Sequence, residues 1–422
     1  MSLRLGVDLT PLRVSAQYRR LYLAGFITFL GSQATFVTVP FQLRNLTHSP
    51  LTVGTLGLVE LVPIIVFGLY GGVLADRLDR RRLIIVTEAV AMVAIGVLFA
   101  NALARHPQVW IVFAADTLVV AAGSLQQPSL TALNQSLVPH ELQRSAAALS
   151  MIRSTTAAII GPAFGGLIAV AAGPAAGYVV NLVTFVASLA LLVSLASTPT
   201  IKATSGTQVA SLMEGLRYTR SRPDLVGTYV IDLLAMFLAY PIIMLPFVAA
   251  RFHVTYALAL LYCGLPVGAL LATLTSAWTH RVHHYGRAVV VAAAAWGLGV
   301  ALFGDASSLW LAFAGLAIGG GADAVSGIFR QSMWNESIAP EVRGRLAGVE
   351  LLSYSIGPTA GQFRAGLMAA WTTLRFSLTF GGLACAGSVG LAALGLRRLW
   401  SFDARTDEHV AEVRELRAGE SG

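Results

Sequence analysis

Apolar runs of about 20 residues, long enough at 1.5 Å per residue to cross the hydrocarbon core of a bilayer, recur along almost the whole chain between short polar gaps. Twelve are predicted, at 19–43, 51–74, 82–103, 109–137, 147–171, 174–197, 224–250, 256–278, 288–303, 309–338, 345–368 and 372–396. In lipid every backbone N–H and C=O must find its partner within the segment, so these runs are helices. The glycines and prolines inside them place neighbouring helices, rather than lipid, against those positions. The expected class is an all-α membrane protein. Composition agrees: 12% charged residues over 422 positions is too little for a soluble surface, given that soluble domains are about 25% charged overall. The first run is too long for a cleavable signal and reads as a signal anchor.

Basic residues orient the bundle, because positively charged loops stay in the cytoplasm. Most of the 29 Lys+Arg residues fall before the first run, after the second, in the central loop, after the eighth and tenth, and in the tail. Both termini are therefore expected in the cytoplasm. The net charge of +8 is accounted for by loops at an anionic inner leaflet, and no nucleic-acid partner is expected. Cys263 and Cys385 both lie inside apolar runs, which leaves no disulfide framework and no metal-ligand spacing. His283 and His284 are read as part of a basic inner loop, and neither a metal nor a cofactor is expected.

An internal repeat is legible. "LNQSLVPHELQR", Leu133 to Arg144, is echoed by "WNESIAPEVRGR", Trp334 to Arg345, with Asn134, Ser136, Pro139 and Arg144 recurring as Asn335, Ser337, Pro340 and Arg345. "IIGPAFGG" at Ile159–Gly166 is echoed by "SIGPTAGQ" at Ser355–Gln362. The expected organisation is two pseudo-symmetric six-helix bundles, residues 1–198 and 223–400, joined by a cytoplasmic linker at 199–222 and followed by a tail at 401–422. Duplicated halves with a site near the middle of the membrane are the architecture of secondary transporters.

Charge gathers in "GGVLADRLDRRR", Gly71 to Arg82, after the second run. Gly72 permits close helix approach, and Asp76, at the C-terminal end of its helix where the macrodipole disfavours an anion, needs a compensating partner: Arg77, Arg80, Arg81 or the N-terminal end of the eleventh helix. The group reads as a conformational latch; for Arg81 and Arg82, enforcing topology is the favoured role. This stretch resembles the loop 2-3 signature of the major facilitator superfamily. Likewise "GPAFGG", with Gly161, Pro162, Gly165 and Gly166, resembles the helix 5 signature of that superfamily's antiporters. "VPFQLRNLTHSPLTVG" (Val39–Gly54) and "LYCGLPVGALLATLTSAWTHR" (Leu261–Arg281) resemble its enterobactin (siderophore) exporter group. The resemblance implies the major facilitator fold, alternating access and export of a small molecule. Two departures stand out: Asp79 replaces a customary glycine, and the fourth helix carries Asp116, Gln126 and Gln127 in place of a basic residue found in many drug antiporters.

The only lysine, Lys202, lies outside any phosphate-cradling loop, so the energy source is expected to be an ion gradient. Proton coupling needs carboxylates inside the span. Of Glu60, Glu88, Asp116, Asp232, Asp323 and Glu350, those selected for coupling are Glu60, Asp116 and Asp232, each with a packing role as the alternative. Asp323 and Arg330, two turns apart on one helix face, are expected to form a neutral pair. Candidate substrate contacts are Gln33, Phe36, Gln126, Arg153, Tyr240, Tyr262, Trp334 and Tyr354, whose rings and polar groups suit an aromatic, acidic ligand. The sequence thus reads as a monomeric, proton-coupled exporter of a siderophore-like catecholate in the bacterial cytoplasmic membrane, not an enzyme; a multidrug efflux antiporter on the same scaffold is the alternative. The amphipathic tail is expected on the inner membrane surface or mobile.

Overall fold

The computed structural model describes residues 8–196, 208–338, 340–407, 409–411, 413 and 415. For helical residues 69, 73, 75–77, 208–212, 340–345, 347, 348 and 351, only the backbone is described. The long helices are α1 (Ala16–Thr47), α2 (Pro50–Arg77), α3 (Arg80–Leu103), α4 (Val109–Ser136), α5 (Gln143–Ala172) and α6 (Pro174–Val193). After them come α7 (Pro223–Ala239), α8 (Ala257–Leu274), α9 (Tyr285–Asp305), α10 (Leu309–Ser337), α11 (Pro340–Trp371) and α12 (Leu374–Gly395). Eleven spans among the described residues are long and apolar enough to cross a membrane. The remaining long helix, α11, runs for 32 residues and fills the position of the eleventh predicted run. The seventh predicted run, 224–250, is interrupted. Helix α7 stops at Ala239, and short helical turns at Ile242–Met244 and Leu245–Ala249 complete the span. Pro241 and Pro246 are the reason, since each lacks an N–H and disfavours helical geometry in the residue before it.

The chain forms two compact units, one of Met1–His48 with Val62–Ser205 and one of Ser49–Leu61 with Gly206–Gly422. The first turns of α2 thus belong with the second unit, where Gly54 and Gly57 lie against Gly366, Gln362 and Thr359 of α11. Of the predicted linker at 199–222, residues 199–207 lie outside the described residues. The amphipathic helix Gln208–Ser221 follows, and its Leu216 and Tyr218 pack on Leu225, Trp334 and Ile338.

Because lipid tails are as apolar as leucine, helices in a bilayer associate through close van der Waals contact at small residues. In α5, Gly161 faces Gln33 and the Leu30 carbonyl, and Gly165 faces the Ala34 backbone, all on α1. The second unit repeats this: Gly357 of α11 faces Met236, and Gly361 faces the Met236 and Phe237 carbonyls of α7. The repeat seen in sequence is therefore a repeated helix seam. A second echo is conformational. His48 after α1 and His253 at the corresponding turn before α8 both adopt left-handed backbone, with φ of 51° and 52°.

Arginines in the basic segments cap helix ends. Arg81 donates to the Val193 carbonyl and Arg20 to the Ser194 carbonyl at the end of α6. Arg222 grips Asp224 with two hydrogen bonds of 2.6 and 3.0 Å and donates to the Ser337 carbonyl at the end of α10. Cations at helix C-termini oppose the macrodipole and satisfy the last carbonyls, so these residues stabilise helix ends wherever the membrane lies. Asp79 accepts from the Arg82 N–H as the N-cap of α3, which gives this acid a local structural role.

The tail differs from the expectation of a surface-bound or mobile segment. Leu399, Phe402, Ala404 and Val410 are buried in the core of the second unit. Asp403 pairs with His284 at 3.6 Å, the Ala404 N–H donates to the His283 carbonyl, and Arg287 lies over Trp400. Alternation of apolar and charged residues in the tail is the same pattern whether the apolar face meets lipid or protein, and here it meets protein.

Gly165→Leu should drive a side chain into the Ala34 backbone. Overpacking of this kind costs about 1–3 kcal/mol, and a lower thermal midpoint in detergent is expected. Gly96, whose Cβ position meets no atom within 4 Å, should accept leucine without that loss.

Candidate functional site

The first unit holds a cavity of about 870 Å³, walled by α1, α3, α4 and α5 with Ser188 and Leu192 of α6. Its size falls within the range of small-molecule sites, about 300–1,000 Å³. On α3, Glu88 borders the cavity yet is only 2% exposed. The carboxylate accepts from the Thr28 hydroxyl at 2.6 Å and from the Gln126 side-chain amide at 2.8 Å. The same amide nitrogen reaches the Ile84 carbonyl at 3.3 Å, so three helices are tied together at one acid.

Arg153 of α5 lines the same cavity. Its guanidinium carbon lies 5.7 Å from the Tyr22 ring centre and against Gly25, where any side chain would occupy the guanidinium's place. No carboxylate pairs with Arg153 among the described residues. Gly25 and Thr28 are three residues apart and so neighbours on one face of α1; the arginine and the acid flank that face about one turn apart. Gln127, Asn134 and Gln135 add amide groups to the wall.

In the second unit the polar interior is built differently. Arg330 of α10 makes a close ion pair with Asp232 of α7, and its other nitrogen lies 3.8 Å from Asp323, two turns back on α10. The Ser353 hydroxyl donates to Asp232 at 3.3 Å. Arg330 stands 5.7 Å from the Tyr354 ring centre. Trp334 stacks on Tyr229 with ring centres 5.2 Å apart and donates to the Thr228 hydroxyl at 3.0 Å. Tyr240 is within electrostatic reach of both Asp323 and Glu60.

The predicted site residues are therefore distributed. Gln126 and Arg153 come together in the first-unit cavity. Gln33 lies in the α1/α5 seam beneath Gly161, and Phe36 is 42% exposed on α1. Asp116 is buried next to Tyr178, whose hydroxyl donates to Gln42, and is outside the cavity wall. Asp232, Trp334 and Tyr354 meet around Arg330, with Tyr240 and Glu60 near Asp323 and with Tyr262 next to Tyr240. Gly72 is buried, and the neighbouring Gly71 lies against the Leu125 backbone of α4; Arg80 is half-buried at the start of α3. The side chains of Asp76 and Arg77 lie outside the described residues. Pro162 and Gly166 are buried in α5 beside Gly161 and Gly165. Sequence reasoning noted Glu88 without selecting it. An acid in an otherwise apolar stretch announces a partner but does not say that Thr28 and Gln126 supply it.

Residues 7–416 match the model of the transmembrane secretion effector family of the major facilitator superfamily. The chain belongs to that family. It is thus a multi-pass membrane transporter. The enterobactin exporter of Citrobacter koseri is 26% identical over 392 residues, 92% of each chain. That of Shigella boydii is 26% identical over 369 residues, covering 87% of this chain and 88% of its own. Among solved structures, the nucleoside transporter NupG matches with a TM-score of 0.73 at 14% identity, over 92% of this chain and all of its own. A POT family transporter in complex with 5-aminolevulinic acid matches with a TM-score of 0.70 at 11% identity, over 91% and 97%. These two likenesses establish the major facilitator fold of the transporter.

Removing the acceptor at the heart of the cavity wall should be costly. Glu88→Ala removes the acceptor of the Thr28 hydroxyl and one of the two acceptors of the Gln126 amide, a loss of about 1–3 kcal/mol. The transporter should unfold at lower temperature in detergent, and Glu88→Gln, which keeps a carbonyl acceptor, should recover most of that stability.

Proposed function

We propose that this transporter exports a siderophore-like catecholate from the cytoplasm by proton-coupled antiport. The observation that carries the reading is the near full-length relationship to exporters of enterobactin. The first-unit cavity supports it. An arginine with no carboxylate partner among the described residues, an adjoining tyrosine ring and a wall of amides suit a ligand that is aromatic, rich in hydroxyls and prone to carry negative charge. Glu88, about one turn away on the same α1 face, would disfavour a second anionic group there.

In this reading both termini lie in the cytoplasm, following the basic segments, and bundles 1–198 and 223–400 alternate about the substrate as a monomer. Gly72, Asp76, Arg77 and Arg80 form the latch that engages when the cytoplasmic side closes. Energy comes from the proton gradient: about 2.3 kcal/mol per charge for each 100 mV and about 1.4 kcal/mol per pH unit. One proton could then sustain a substrate gradient of a few hundred-fold. The proton carriers are sought at Glu60, Asp116 and the Asp232 ion-pair cluster. A multidrug antiporter is the competing reading, favoured by the cavity's Glu88, which suits a cationic ligand.

The test is transport by reconstituted protein under an imposed pH gradient, with an iron-free tris-catecholate and a cationic dye offered separately. Gradient-dependent movement of the catecholate is expected, with Arg153→Ala raising its KM about tenfold, the loss of one charge-assisted contact of about 1.4 kcal/mol. Dye movement alone would replace the siderophore reading by the efflux one. Glu60→Gln and Asp76→Asn should each lower the rate while leaving insertion intact.

A further inference from the structure

The second unit contains a charge imbalance that sequence spacing did not reveal. Spacing pairs Asp323 with Arg330 as a neutral couple on α10. The structure gives the close pair to Asp232 instead, and Asp323 becomes a second carboxylate 3.8 Å from the same guanidinium. An arginine stays protonated in proteins, so one positive charge faces two acids. Ionised charge inside the membrane span is costly, and the cluster reaches neutrality by holding one proton.

The two acids are not equivalent as sites for it. The Asp232 side chain is 4% exposed, in close contact with Arg330 and hydrogen-bonded by Ser353. Protonating it would break this buried ion pair and leave the guanidinium only the more distant carboxylate of Asp323. The Asp323 side chain is 43% exposed, so of the two acids it is the one a proton reaches with less disturbance of the packed interior. Among the described residues, its surroundings add no further cation. Tyr240 and Tyr354 are its other titratable neighbours; beyond them stand Glu60 beside Tyr240, Glu350 beside Tyr354 and Tyr229, and Tyr262 on α8 beside Tyr240.

We infer that Asp323 is the proton-carrying carboxylate of the second unit, with Asp232 acting as the fixed counter-ion of Arg330 and a positioning residue. The inference rests on the proton-coupled reading above and narrows it. When Asp323 ionises, Arg330 gains a second attraction along α10, opposed to the one holding it to α7. A proton moving on or off Asp323 therefore changes how tightly α10 is tied to α7, a direct link between protonation and helix packing.

Infrared titration of the full-length protein in lipid tests this without knowledge of the substrate. Wild type should show a protonated carboxyl band that disappears as pH is raised, absent from Asp323→Asn and retained in Asp232→Asn. If Asp232→Asn fails to fold, the charge-balanced Asp232→Asn/Arg330→Gln variant takes its place and should likewise retain a titrating band. Persistence of the full wild-type band in Asp323→Asn, or its loss only when Asp232 is replaced, would overturn the assignment. The iron-free tris-catecholate supplies the second readout. Asp323→Asn should abolish accumulation driven by a pH gradient while leaving exchange at equal concentrations within about twofold of wild type; retained gradient-driven accumulation would also overturn it. Should wild type carry the titrating band at Asp323 yet move the probe regardless of the gradient, the coupling reading falls while the assignment of the proton site stands.

Discussion

Backbone hydrogen bonding without water is the constraint on which the rest of this molecule depends. Once every N–H and C=O must be satisfied inside its own segment, the chain can only be a set of helices. The hydrophobic effect then no longer distinguishes one helix face from another, because lipid and leucine are alike. What remains to hold the bundle is close contact and buried polarity. The α1/α5 and α7/α11 seams supply the first, with Gly161 and Gly165 in one unit and Gly357 and Gly361 in the other. Glu88 and Arg330 supply the second.

The two units use buried charge in different ways. In the first, one acid is satisfied by neutral donors from two other helices, and the cation of the cavity stands apart from it over a tyrosine ring. The acid is thus committed to holding helices together, and the arginine is the charge that the cavity wall offers a ligand. In the second, one cation is shared by two acids from two helices, an arrangement whose own balance shifts with a proton. A duplicated scaffold has thus been given unlike interiors. The internal repeat survives in the glycines of the seams and the left-handed histidines of the turns, where geometry leaves little choice, and has faded where the chemistry differs.

Much of the scaffold was legible from the residues. Run length fixed the helices, and the echoed "GP" motifs marked the paired seams. The break after Ala239 is readable in hindsight from Pro241 and Pro246. The tail was not, because Leu399, Phe402 and Val410 make an apolar stripe that lipid and protein would accept equally. The candidate site was only half legible. Gln126 and Arg153 were picked out as polar residues in apolar helices and do share a cavity, whereas Gln33 and Trp334, chosen on the same ground, are engaged in packing.

By itself the sequence determined the class, the helices, the duplication and the basic ends, since each is written in local hydropathy, in residues a fixed number of positions apart, or in net charge along the chain. Only the tertiary structure decided which ionisable groups meet: Glu88 with Thr28 and Gln126, Arg330 with Asp232 before Asp323. A helix's periodicity states which residues share a face. How that face is turned toward its neighbours is set by close contacts at small residues, which fix rotation and depth to within an ångström or two and so choose each charge's partner.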